Sequence, residues 1–125
     1  MAGTIVADTL SDGAGNTTAM DNAIYGSAKA WVKININTGT TTATIGASYN
    51  VSSVTYSSTG IYTVAFTNAF VDTNYAVASI ASPNGTLMCA SSPSSTSSYP
   101  LLTVNSTTGN GYAPTSGFIY ATFFR

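Results

Sequence analysis

Residues 28–37 read AKAWVKININ, and this stretch decides the fold. Ala30, Val32, Ile34 and Ile36 fall on one side of a period-2 repeat, while Trp31, Lys33, Asn35 and Asn37 fall on the other. That alternation marks a half-buried strand, because a helix would repeat its apolar positions every 3.6 residues. The next run is cleaner still. Ala43, Ile45, Ala47, Tyr49 and Val51 alternate with Thr44, Gly46, Ser48 and Asn50, which predicts a second strand with one apolar face. Thr38-Gly39-Thr40 between the two runs reads as a hairpin turn.

Working outward, Val54 and Tyr56 predict a short strand that ends at the turn Ser57-Ser58-Thr59-Gly60. Tyr62, Val64 and Phe66 predict the returning strand, and Asn68 to Asn74 a connection. Tyr75 to Ile80 and Leu87 to Ala90 flank the turn Ser82-Pro83-Asn84-Gly85, where Pro83 presets φ and Gly85 accepts a positive one. Ser91 to Pro100 reads as a low-complexity loop in which two prolines remove backbone donors, so no ladder is expected there. Leu101 to Asn105 and Phe118 to Phe124 complete the strands, with a turn at Thr107 to Gly111. Seven or eight short strands with turns about every 8–12 residues predict an all-β chain: a single antiparallel β-sandwich or jelly-roll-like domain over residues 26–125. Residues 1–25 differ: Thr4 to Leu10 alternates only weakly, Ser11 to Asn16 reads as flexible, and the whole reads as an extended N-terminal arm.

Composition narrows the function. The chain has 125 residues, enough for one domain with its own core. Charged residues make up 6%, against about 25% in ordinary soluble domains. The whole set is Asp8, Asp12, Asp21, Asp72, Lys29, Lys33 and Arg125, with no Glu and no His. A histidine-based triad is excluded, and so is a His/Cys metal site, since Cys89 is the only cysteine. Three basic residues cannot neutralise a nucleic-acid footprint. No apolar run approaches a membrane-spanning length, so no membrane insertion is expected. Met1 to Leu10 lacks a basic start and a long apolar run, so a secretory signal is not expected either. The aspartates read as turn and cap residues, not as a catalytic pair. No catalytic residue, metal or cofactor is therefore expected.

Candidate binding residues are few. Trp31, flanked by Lys29 and Lys33, can form a stacking platform beside a positive spot for a sugar or an anion. The plainer alternative is a solvated strand face on which lysine stems cover an aromatic ring. Tyr99 and Tyr112 fall in predicted loops, where binding groups concentrate. The scarcity of charge matters more. Natural sheets guard exposed edges with Lys and other charges, and this chain has almost none to place there. A homo-oligomer that covers those edges, with the N-terminal arm on a neighbouring copy, is the expectation.

Several segments carry a family resemblance. Gly26 to Asn35 (GSAKAWVKIN) resembles the "AKAWVNFN" strand of small β-rich bacteriophage virion proteins and tail-fibre tip domains. Ala47 to Thr55 (ASYNVSSVT), Gly60 to Ala69 (GIYTVAFTNA), Asp72 to Val77 (DTNYAV) and the closing Tyr120 to Arg125 (YATFFR) are similar to later strands of the same family. Tyr56-Ser57-Ser58 stands where the family often has Asp-Asn-Gly, Phe70-Val71 replaces Met-Pro, and residues 82–117 match no part of it. The resemblance implies a non-enzymatic virion structural protein, usually trimeric, on the particle surface as a capsid decoration, fibre or tail-fibre component. Its implied partners are copies of itself, other capsid or tail proteins and a host surface glycan. The competing reading is a host-receptor or carbohydrate-binding adhesin module, with Trp31 and Tyr99 or Tyr112 as its sugar platform.

Overall fold

The computed structural model describes residues 3, 7–19, 26–36, 42–82, 86–90, 95–105, 108–111 and 116–125, with the backbone alone for 86–90 and 105. Among these residues the chain forms ten strands: β1 (Thr9–Ser11), β2 (Thr17–Ala19), β3 (Ala28–Ile36), β4 (Ala43–Tyr49), β5 (Val51–Ser58), β6 (Ile61–Phe66), β7 (Ala76–Ser82), β8 (Thr86–Ala90), β9 (Ser98–Asn105) and β10 (Gly117–Phe124). Two four-stranded antiparallel sheets, ordered β4-β3-β10-β7 and β5-β6-β9-β8, make a sandwich. The all-β antiparallel architecture is the one that the alternation predicts.

The core lies between the sheets. Val32, Ile34, Ile119 and Phe123 from the first sheet meet Tyr62, Val64 and Leu101 from the second, and all are essentially inaccessible. Burying side chains of this size contributes roughly 1.5–3 kcal/mol each. At one end the core is aromatic. Phe66 packs edge-on against Phe70 (4.7 Å) and Phe123 (5.0 Å), and Tyr99 against Phe123 (5.7 Å). The Tyr62 hydroxyl is buried with no hydrogen-bond partner among the described residues, and burial, with a smaller contribution from Tyr56, pushes its pKa up to about 12.

Three expectations need correction. First, Tyr99 is not in a loop. It lies on β9, 7% exposed, inside the aromatic core. The Ser91–Pro100 segment joins a ladder from Ser98 onward, pairing with β6 through Thr63↔Pro100 and Val64↔Tyr99. Pro100 is tolerated because, among the described residues, pairing with β8 reaches only Leu101, so the missing N–H falls where β9 has one described neighbour. Ser95–Ser97 are also tied in: the Phe66 amide donates to the Ser97 carbonyl, the Phe70 amide to that of Thr96 and the Tyr75 hydroxyl to that of Ser95, each at 2.8 Å.

Second, the run from Ala43 to Val51 is not one strand with one apolar face. Gly46 is an extra residue, since Lys33 pairs with Ala47 but Ile34 with Ile45. This bulge puts Ala43 and Ile45 opposite inward Ile36 and Ile34, and Ala47 and Tyr49 opposite outward Lys33 and Trp31. A Cβ at Gly46 would stand 2.8 Å from the Asn35 carboxamide, so the bulge favours the residue without one. The strand then stops at Asn50, which adopts φ 55° and carries the chain into the second sheet at Val51. The Asn50 carboxamide fixes that corner. Its Nδ2 donates to the carbonyls of Lys29 and Asn68, both at 3.1 Å, and its Oδ1 accepts from the Asn68 amide at 2.8 Å.

Third, the described part of residues 1–25 is not simply extended. Residues 9–19 fold back as a small exposed hairpin. Its loop is tied by Asp12, whose carboxylate accepts from the amides of Ala14 and Asn16 and from the Asn16 side chain. The Asn16 carboxamide is the main reason that the Asp12 carboxyl sits below its ordinary range. The predicted turns at Thr38-Gly39-Thr40 and Pro83-Asn84-Gly85 lie outside the described residues.

The edges are managed without charge. β4 carries the Gly46 bulge, and β5 carries two more, at Ser52 and Ser57. The opposite flank differs. β7 pairs with β10 over seven consecutive positions with no irregularity, and its sequence AVASIAS has no charged side chain.

Candidate functional site

The outer face of the β4-β3-β10-β7 sheet is where the sequence-predicted residues gather. Along β3 the inward positions are buried and the outward ones accessible, so Trp31 and Lys33 share the outer face as the alternation predicts. Trp31 stands directly opposite Tyr49 on β4 and Thr122 on β10, and Lys33 opposite Tyr120. Tyr120 in turn stands opposite Ile80 on β7. The five large apolar residues of this face are 40–66% exposed: Trp31, Tyr49, Ile80, Phe118 and Tyr120. The Lys33 ammonium lies over two aromatic rings of this face. Lys33 Nζ lies 4.4 Å from the centre of the Phe118 ring and 6.0 Å from that of Tyr120.

Lys29 departs from the simple alternation. Phe123 pairs with Ala30 and Phe124 with Ala28, so Lys29 is the extra residue of a bulge in β3. Its carbonyl is held by Asn50, and its ammonium donates to the Ser27 hydroxyl at 2.9 Å. Lys29 lines a cleft of about 450 Å³ together with Tyr49, Asn50, Asn68, Val71 and Arg125. Arg125 is held by Asp72 in a two-pronged ion pair, Nε to Oδ1 at 2.9 Å and Nη2 to Oδ2. This guanidinium, helped by the Asn74 amide, holds the Asp72 carboxyl below its ordinary range. The cleft and the aromatic face meet at Tyr49.

The other candidates fall elsewhere. Tyr99 is a core residue, and Tyr112 lies outside the described residues, as does Asp21. Asp12 and Asp72 serve their own turns. Among the described residues no three His, Cys, Asp or Glu side chains come together. The sequence reading misses Tyr49, Phe118, Tyr120 and Ile80. Phe118 to Phe124 is apolar on both alternating sets, so the sequence carries no sign of which set faces out.

No protein-family model, curated protein or solved structure matches the chain.

Proposed function

We propose that the protein is a structural component of a bacteriophage virion, displayed on the particle surface and acting by assembly, not by catalysis. The observation that carries this reading is the outer face of the first sheet, where five large apolar side chains stand exposed in a chain with 6% charged residues. Apolar patches of this kind mark interaction surfaces. The regular, uncharged edge of β7 borders the same face, and among the described residues β7 pairs with β10 alone, which leaves its other edge to a partner. Copies of the chain, as a trimer in line with the family resemblance, and capsid or tail proteins are the partners that such a surface suits. Light scattering on the purified chain at micromolar concentration is expected to return an oligomer, and a monomer there overturns the reading. Virions lacking the protein are expected to lose particle stability if it decorates the capsid, or adsorption if it belongs to the tail.

A second reading is a carbohydrate-binding adhesin module. One observation favours it: Trp31 and Tyr49 are cross-strand neighbours with both rings exposed, the platform on which a pyranose ring stacks. A glycan array with Trp31→Ala as the control tests it.

A further inference from the structure

We propose that the cleft lined by Lys29, Tyr49, Asn68 and Arg125 binds a carboxylated sugar, with Lys29 pairing the carboxylate. The inference rests on the carbohydrate reading and gives it a ligand class. Two of the three basic side chains in the chain line this one cleft. Arg125 is compensated by Asp72, whereas Lys29 makes no ion pair among the described residues. Among the described residues the cleft therefore offers one uncompensated cation, which matches a single carboxylate better than a doubly charged phosphate. A compact ammonium suits such a point contact.

The remaining walls suit a sugar. Tyr49 supplies an exposed ring, and Trp31 extends it across the β3–β4 pair. The Asn68 carboxamide, exposed on the rim, offers donors and an acceptor to ring hydroxyls. The volume of about 450 Å³ falls in the small-molecule range of roughly 300–1,000 Å³. The site is also pre-formed. Asn50 holds the Lys29 carbonyl and both backbone groups of Asn68, so a single carboxamide fixes the backbones that carry the cation and the polar rim relative to each other. Bulges recur beside functional sites because they re-aim a side chain, and Lys29 sits on one.

Calorimetric titration of the full chain with oligogalacturonate, a sialylated trisaccharide and a neutral galactose oligomer tests this. At least one acidic probe is expected to bind, more weakly as salt is raised, and the neutral one to bind at least tenfold more weakly. Lys29→Ala is expected to weaken acidic-probe binding about tenfold, the loss of one charge-assisted contact. Thr55→Ala, on the outer face of the other sheet, is expected to leave it unchanged. Should Lys29→Ala fail to fold, Lys29→Gln, which keeps the stem, reads the same loss. Equal binding of neutral and acidic probes, or full binding by the Lys29 variants, overturns the acidic assignment and leaves the carbohydrate reading standing. Silence with all three probes overturns both.

Discussion

On the outer face of β4-β3-β10-β7, Trp31 stands opposite Tyr49 and Tyr120 opposite Ile80. On that of β5-β6-β9, Thr55 stands opposite Thr63 and Ser53 opposite Ala65. The inner faces are alike, each a set of buried aliphatic and aromatic side chains. The outer faces are not. The second sheet ties its small polar groups to itself, with the Ser57 and Thr63 hydroxyls 2.7 Å apart and the Ser52 hydroxyl on the Ala65 carbonyl. It contributes none of the large exposed apolar residues among the described ones. Folding needs only the inner faces, so aromatic surface left outside on one sheet alone points to a use beyond folding.

The sharpest test of that contrast runs along β3. Ile34→Ala removes a fully buried side chain and is expected to cost about 2–5 kcal/mol in urea unfolding. Trp31→Ala, three positions away and outward, should stay within about 1 kcal/mol. Equal losses would mean that the outer face is already buried. Next comes the corner that joins the sheets. Asn50→Ala places a Cβ-bearing residue without local hydrogen bonds at φ 55° and strips three contacts, for an expected loss of about 2–4 kcal/mol.

Association should separate the two faces in the opposite sense. Phe118→Ser with Tyr120→Ser is expected to weaken self-association at least about tenfold by analytical ultracentrifugation. Thr55→Ala with Thr63→Ala on the other sheet should leave it unchanged. Smaller still, Gly46→Ala forces the Asn35 carboxamide aside and is expected to cost about 1 kcal/mol. Asn35→Ala in the same chain should recover most of it, a double-mutant cycle that reads the bulge placing Tyr49 outward.

The smallest effect is a pH dependence. Arg125 depresses the Asp72 pKa, so the folded state holds the Asp72 proton less tightly than the unfolded chain does. The stabilisation is complete above the ordinary value of 3.8 and is lost as pH falls through the lower folded value. Asp72→Asn should flatten the acid limb of the stability curve, and an unchanged limb would mean that the pair contributes nothing.

Much of the sandwich is legible in residues 28–66 because alternation there coincides with burial, as Ala30 to Ile36 and Tyr62 to Phe66 illustrate. It fails where a single residue changes the period. Gly46 adds one position and Asn50 turns the backbone left-handed, and neither disturbs the tidy alternation around it. It fails again at Tyr99, because serine and proline content says loop while the register with Val64 says strand. Trp31 and Lys29 were findable as the aromatic and charged exceptions of their strand. The cleft was not, because Lys29, Tyr49, Asn68 and Arg125 come from separate segments that the β4-β3-β10 pairing, the Asn50 corner and the Arg125–Asp72 pair bring together.

The position of β10 has a further consequence. It lies between β3 and β7, which each pair with it and not with each other. During synthesis the ribosome releases both of them before their shared neighbour exists. The nascent chain must then hold two apolar-faced strands unpaired until β10 emerges and joins them, so the first sheet should close only after β10 is made.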